Sequence, residues 1–146
     1  CVECGIDGVI IPDLPFRDYE ESYKAIALKY DIRVIMLITP ETSEARVREI
    51  DAHTDGFIYL VSSAATTGAQ KDFDTRKQAY FKKIEDMNLR NPRMVGFGIS
   101  NKQTFDAACA HSSGAIIGSR FVTLLNEKEG DAEKAIRQLK EEVRKL

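Results

Sequence analysis

Gly8-Val9-Ile10-Ile11-Pro12-Asp13-Leu14-Pro15 runs apolar for four residues and then stops in two prolines around an acid. β-Branched side chains favour an extended backbone, and proline has no N–H to continue a ladder, so the segment reads as a strand running into a turn. The run is continuous, not alternating, as befits a strand covered on both faces. The same form recurs at Val34-Ile35-Met36-Leu37-Ile38, Phe57-Ile58-Tyr59-Leu60-Val61, Met94-Val95-Gly96-Phe97 and Ala115-Ile116-Ile117.

Helical spacing fills the intervals. Tyr19, Tyr23, Ile26, Ala27 and Tyr30 step by three or four along one stripe, with charges elsewhere. Thr42-Ser43, Asp74-Thr75 and Ser100-Asn101 each offer a side-chain oxygen to cap a following helix. From Asp131 to Leu146 the apolar residues Ile136, Leu139, Val143 and Leu146 fall on one side, as in an outer helix. Strands alternating with helices imply βαβ units and a parallel sheet, here in β-α-β-α-β-α-β-α-β-α order. No linker or low-complexity stretch divides the chain, so residues 1–146 read as one structural unit without an internal boundary.

Composition narrows the partners. The chain has 146 residues, 21 Lys+Arg against 23 Asp+Glu, and a net charge of −2, without the basic excess a nucleic-acid surface needs. No apolar run approaches the ~20 residues that span a bilayer. A basic segment followed by an apolar one, as in a secretory signal, is not visible either. Three cysteines, at 1, 4 and 109, suit a reducing compartment. Cys1 and Cys4 form a C-x-x-C placed before a strand in what reads as the last turn of a helix. A redox pair would sit at a helix N-terminus, and no second pair completes a zinc site, so ordinary half-buried thiols are expected.

In a parallel α/β fold, chemistry gathers at the carboxyl ends of the strands. Glycine allows close approach of an anion there, and the N–H groups of a following helix point at its oxygens. Gly98 opens the helix near Ser100-Asn101, and Gly118-Ser119 opens a short segment, Arg120–Leu125, of the length of the phosphate-binding helix of a (β/α)8 TIM barrel. Plain tight turns would also use glycine, but two such turns on the last two strands favour a phosphate site. Gly96-x-Gly98 is not a dinucleotide fingerprint, since Asn101 stands where a third small residue belongs. After the third run, residues 62–74 form a long stretch, rich in small residues in its first half, over the same face, which reads as a lid or as an ordinary loop. Tyr59 near the end of its run is either a ligand contact or core. Asp13 is a base, a ligand contact or a loop anchor; the residues leave these open. His53 and His111 lack a Ser, Cys or carboxylate at a recognised spacing and read as non-catalytic.

Taken together, the segments resemble the α-subunit family of tryptophan synthase. Gly5-Ile6-Asp7-Gly8-Val9-Ile10-Ile11-Pro12-Asp13-Leu14-Pro15 is similar to that family's fourth strand, and Gly56-Phe57-Ile58-Tyr59-Leu60-Val61-Ser62 to its sixth. Thr67-Gly68-Ala69 resembles its loop six, and Gly96-Phe97-Gly98-Ile99-Ser100 and Gly114-Ala115-Ile116-Ile117-Gly118-Ser119 resemble strands seven and eight. The resemblance implies a TIM barrel of which this chain carries about the last five βα units, since a complete barrel needs ~250 residues. It implies a cytoplasmic lyase of tryptophan biosynthesis that cleaves indole-3-glycerol phosphate to indole and glyceraldehyde 3-phosphate. It further implies no cofactor in this subunit, and a β-subunit partner carrying pyridoxal phosphate in an α2β2 complex. By the same resemblance Gly68, Gly98, Gly118 and Ser119 hold the phosphate, and Tyr59, Phe97 and Leu37 line the indole-glycerol pocket. Thr67 orders the closed site, and Asp13 and Pro15 face the β subunit.

Two departures stand out. Loop six usually reads Ser-x-x-Gly-Val-Thr-Gly, and Ala65 here replaces the first of those glycines. The catalytic Glu and Asp belong to the family's second strand and the loop after it, and no residue here matches them. The 146-residue chain alone is therefore expected to be inactive. The alternatives are another phosphate-binding barrel, such as a ribulose-phosphate 3-epimerase, and a non-catalytic half-barrel that serves only in assembly.

Overall fold

The computed structural model describes residues 1–61, 70–96, 99 and 102–145, with the backbone alone at 70–74, 102–104, 144 and 145. A 3-10 turn, Val2–Cys4, ends on Gly5, whose φ of 66° is the left-handed geometry that glycine adopts at least cost. The elements that follow are β1 (Gly8–Ile10), α1 (Phe16–Asp18), a wide π turn (Tyr19–Tyr23) and α2 (Lys24–Lys29). Next come β2 (Arg33–Ile35), β3 (Leu37–Ile38), α3 (Glu44–His53), β4 (Ile58–Val61), α4 (Gln70–Asp86) and β5 (Arg93–Gly96). The chain continues with α5 (Lys102–Cys109), β6 (Gly114–Ala115), α6 (Ser119–Glu127) and α7 (Ala132–Lys145).

All strand pairs are parallel. β1 pairs with β2, and β3, β4, β5 and β6 pair in sequence order. The second apolar run, expected as one strand, is divided at Met36. Its first half faces β1 and its second half faces β4, while the Tyr59 N–H donates to the Met36 carbonyl at 3.0 Å across the division. Staggered, tilted strands produce this change of neighbour along one strand, which is the shear a barrel requires. Sequential order without a reversal also separates this sheet from a doubly wound one, where helices would cover both faces.

The register shows which face the helices cover. Ile38, Leu60 and Val95 stand side by side in one row, each with no exposed surface. They join Ile58 with Val47 and Ile50 of α3, Tyr80, Phe81 and Ile84 of α4 and Ala108 of α5 in the main core. The Tyr80 hydroxyl donates to the Ile38 carbonyl at 3.3 Å, and burial pushes this phenol well above its ordinary range. Leu37, Tyr59, Met94 and Gly114 form the adjacent row, which faces the other way, toward the concave side.

Several helix expectations change. Ser43 caps α3 as expected, accepting the Arg46 N–H at 3.3 Å. α4, however, begins at Gln70, so Asp74-Thr75 lie within it; Gln and Lys are good helix formers and carry the helix through. Along the first helical stripe only Tyr19 and Ala27 are buried, and Tyr23, Ile26 and Tyr30 are 50–56% exposed. The π turn shifts the helical phase, and these side chains line an open groove of about 550 Å³ with Ile11, Ile32 and Val34. On α7 Leu139 and Val143 are half-buried as expected, but Ile136 is exposed and Ala135 beside it is fully buried, so the stripe is displaced at its first position; Leu146 lies outside the described residues. Cys1 and Cys4 are exposed rather than half-buried; a lone 3-10 turn covers neither, and Cys109 is the half-buried thiol.

Candidate functional site

Tyr59 and Leu37, which the resemblance places in one pocket, stand next to each other in the sheet. They are register partners on β4 and β3, so their side chains stand side by side on the concave face. Tyr59 is only 9% exposed, and burial raises its phenol pKa, so at neutral pH the hydroxyl keeps its proton and acts as a donor. Leu37 is half-buried.

Two neighbours of this pair were not singled out in the sequence. Gly96, two residues past Tyr59's register partner Met94, lies directly under the phenol: a Cβ built on Gly96 would overlap the Tyr59 ring and hydroxyl. Here glycine is needed for space. The legible signal was a glycine inside a strand, which marks a close approach by another group. Met94 lies next in the row, and its methyl comes within 2.9 Å of where a Gly114 Cβ would stand, so a second small residue makes room on β6.

Gly118 and Ser119 are exposed and lie just beyond β6, whose ladder continues through the Ile116 N–H donating to the Val95 carbonyl at 2.8 Å. Gly118 has φ −93° and ψ −62°, ordinary right-handed geometry, and a Cβ there would meet nothing within 4 Å. Neither backbone strain nor a neighbour among the described residues calls for glycine at 118; among them, what its absent side chain leaves is open space. Among the described residues no side chain caps the helix that follows, so the first N–H groups of α6 have no intrahelical or side-chain acceptor there. α6 runs nine residues, longer than the Arg120–Leu125 segment read from sequence. Thr67, Gly68, Phe97 and Gly98, together with Ala65 and residues 62–69 of the lid expected over 62–74, lie outside the described residues, while 70–74 belong to α4 and not to a lid.

Asp13 is exposed in the turn after β1, where the Leu14 N–H returns to the Ile11 carbonyl at 3.2 Å and Leu14 packs on the core. Among the described residues its carboxylate engages no partner, so Leu14 is what anchors this turn. The histidines do acquire carboxylates, from distant segments: His53 Nδ1 lies 3.0 Å from Glu20 and His111 Nδ1 2.9 Å from Glu85. His53 ends α3, at the amino-terminal side of β4 and away from the strand carboxyl ends, so its pair ties helices together. Among the described residues no three His, Cys, Asp or Glu side chains are grouped to hold a metal, and no helix is long and apolar enough to cross a membrane.

The sequence model of the family described as "Tryptophan synthase alpha chain" matches residues 1–146. The chain belongs to the tryptophan synthase alpha chain family. It is 80% identical over 141 residues to the tryptophan synthase alpha chain of Bacteroides thetaiotaomicron, covering 97% of this chain and 55% of that one. Over 127 residues it is 54% identical to the tryptophan synthase alpha chain of Flavobacterium johnsoniae, covering 87% of this chain and 50% of that one. Its fold superposes on the solved tryptophan synthase A-subunit of Pyrococcus furiosus with TM-score 0.77 at 27% identity, over 99% of this chain and 57% of the other. The chain thus spans about half the length of the curated alpha chains it matches. Parallel strands in sequence order, with the core helices on one face, are a partial (β/α)8 barrel.

Proposed function

We propose that residues 1–146 form the C-terminal βα units of one TIM-barrel domain that cleaves indole-3-glycerol phosphate to indole and glyceraldehyde 3-phosphate. The observation that carries this reading is the tryptophan synthase alpha chain match across every residue, which favours it over a ribulose-phosphate epimerase. The geometry fits the division of labour. Leu37 and Tyr59 offer an apolar wall with one hydroxyl for the indole-glycerol part. The uncapped first turn of α6, with Gly118 leaving open space before it, offers N–H groups and a positive dipole end to the phosphate. Thr67, Gly68, Phe97 and Gly98 complete the lid and the phosphate and indole contacts in this reading. Proton removal and delivery during C–C cleavage fall to the Glu that the family carries on its second strand and the Asp on the loop after it.

A β-subunit partner follows from the same reading, with Asp13 and Pro15 on the exposed rim toward it and pyridoxal phosphate belonging to that partner. One solved neighbour, at TM-score 0.75 and 26% identity, is the tryptophan synthase complex of Pyrococcus furiosus. The assembly and its cytoplasmic location are part of the proposal.

The test is indole release from indole-3-glycerol phosphate. The 146-residue chain alone should release none. Co-expressed with the part of the Bacteroides thetaiotaomicron alpha chain that lies outside the matched region, it should release indole. Activity of the chain alone, or a folded but inactive hybrid, would overturn the reading.

A further inference from the structure

The first turn of α6 carries an arginine whose guanidinium is led away from the helix N-terminus. Arg120 directly follows Gly118-Ser119, yet its Nε donates to Glu142 Oε2 at 2.9 Å and its Nη2 to Glu142 Oε1 at 2.7 Å. The remaining arm, Nη1, donates to Glu127 Oε1 at 3.1 Å, seven residues further along the same helix. Gln138 Nε2 donates to Glu142 Oε1 at 3.0 Å and holds that carboxylate from its own helix. Both arms of the fork are thus engaged, and two carboxylates offset the one positive charge.

The location gives this fork its effect. α6 packs chiefly against α7, and the fully buried Leu124 and Ala135 of these two helices lie outside the main core. A nine-residue helix held mainly by one antiparallel neighbour depends on that neighbour for the direction of its first turn. The apolar contact at Leu124 lies in its middle; the Arg120–Glu142 fork is the tie at its N-terminal end. N–H···O bonds weaken steeply as they bend, so a pivot of that end would spoil several at once. An exposed ion pair adds little to stability, whereas a bidentate arginine–carboxylate pair fixes an orientation.

We propose that Arg120 and Glu142 are a positioning pair that aims the first-turn N–H groups of α6 at the substrate phosphate. Arg120 does not itself bind the phosphate in this arrangement; its charge is neutralised and its donors are used. The inference rests on the phosphate role given to Gly118-Ser119 above, and the experiment separates the two.

Amide NMR titrations of the 146-residue chain use two probes, glycerol 3-phosphate for the α6 turn and indole for the Leu37–Tyr59 wall. In the unaltered chain glycerol 3-phosphate should shift the amides of Gly118 to Phe121 saturably. Arg120→Ala and Glu142→Ala should each weaken that binding about fivefold, the scale of a helix-terminus interaction, and leave the indole titration unchanged. Glu142→Ala is decisive in sign. It frees Nε and Nη2 of Arg120, leaving only Nη1 held by Glu127, so tighter glycerol 3-phosphate binding would show Arg120 to be a direct ligand and overturn the positioning role. Unchanged binding in both variants, or equal weakening toward indole, would overturn it too. Absence of shifts at 118–121 in the unaltered chain would instead remove the phosphate reading itself. Should the alanine variants fail to fold, Arg120→Lys and Glu142→Gln, which keep part of the hydrogen bonding, are read by the same criteria.

Discussion

At the scale of single residues, the concave wall depends on an absent side chain. Tyr59 keeps its place because Gly96 offers no Cβ, and Gly96→Ala must displace either the ring or the β5 backbone beneath it. Overpacking of this kind costs about 1–3 kcal/mol, and the urea midpoint should fall accordingly. Combining Gly96→Ala with Tyr59→Ala should be markedly non-additive, because the single clash disappears when the ring does. Additive losses would show that the two positions do not meet. Tyr59 was legible as a ligand contact or a core residue from its place near the end of an apolar run, whereas Leu37 was a pocket candidate only through the family resemblance. The dependence of Tyr59 on Gly96 was not legible, because 37 residues separate them and only strand register brings one over the other. The glycine itself was visible; its neighbour was not.

At the scale of elements, the amino ends of the strands are tied by hydrogen bonds far from the proposed phosphate site. Asp51 near the end of α3 accepts the backbone N–H groups of Arg90 and Asn91, each at 2.9 Å. The buried Asn91 amide donates back to the carbonyls of Asp51 and Thr54 at 2.8 and 3.1 Å, and Arg90 reaches the same two carbonyls at 2.8 and 2.7 Å. These bonds satisfy the C-terminal carbonyls of α3 and lead into β4 and β5 at their amino ends. Asn91→Ala should therefore cost about 1–3 kcal/mol in urea unfolding while glycerol 3-phosphate binding stays unchanged. A binding loss at unchanged stability would contradict that separation. At the opposite end, the Arg120 and Gln138 hydrogen bonds hold the Glu142 carboxyl down to about 2, from its ordinary 4.5. A carboxylate with a depressed folded pKa contributes stability that is full above 4.5 and is lost as pH falls through about 2. Carbon-13 NMR should place the Glu142 midpoint near 2, and a midpoint near 4.5 would mean that the fork is not formed in solution. Capping at Ser43 could be read from sequence because it is local. The Asp51–Asn91 and Arg120–Glu142 ties could not, since their partners are 40 and 22 residues apart.

At the scale of the whole molecule, one edge of the sheet is uncovered among the described residues. β1 is an edge strand, and beside it Tyr23, Ile26 and Tyr30 line an apolar groove with Ile11 and Val34. A free parallel edge next to exposed apolar surface invites pairing with a second chain. Sedimentation of the purified chain should show self-association that rises with concentration, and Ile26→Lys should reduce it; a concentration-independent monomer would refute this. The sequence by itself determined the class of fold and its order, because continuous apolar runs, helical stripes and N-caps are local and each segment states its own preference. It also placed the Gly118-Ser119 turn just past a strand end. Tertiary structure alone decided that the second run changes neighbour at Met36, that Tyr23, Ile26 and Tyr30 of the first helical stripe face an open groove, and that Gly96 serves Tyr59. It also decided that Arg120 holds a helix. Each of these depends on which distant segment lies alongside, and that is fixed by the stagger of the sheet and the packing of helices upon it, not by neighbours in the chain.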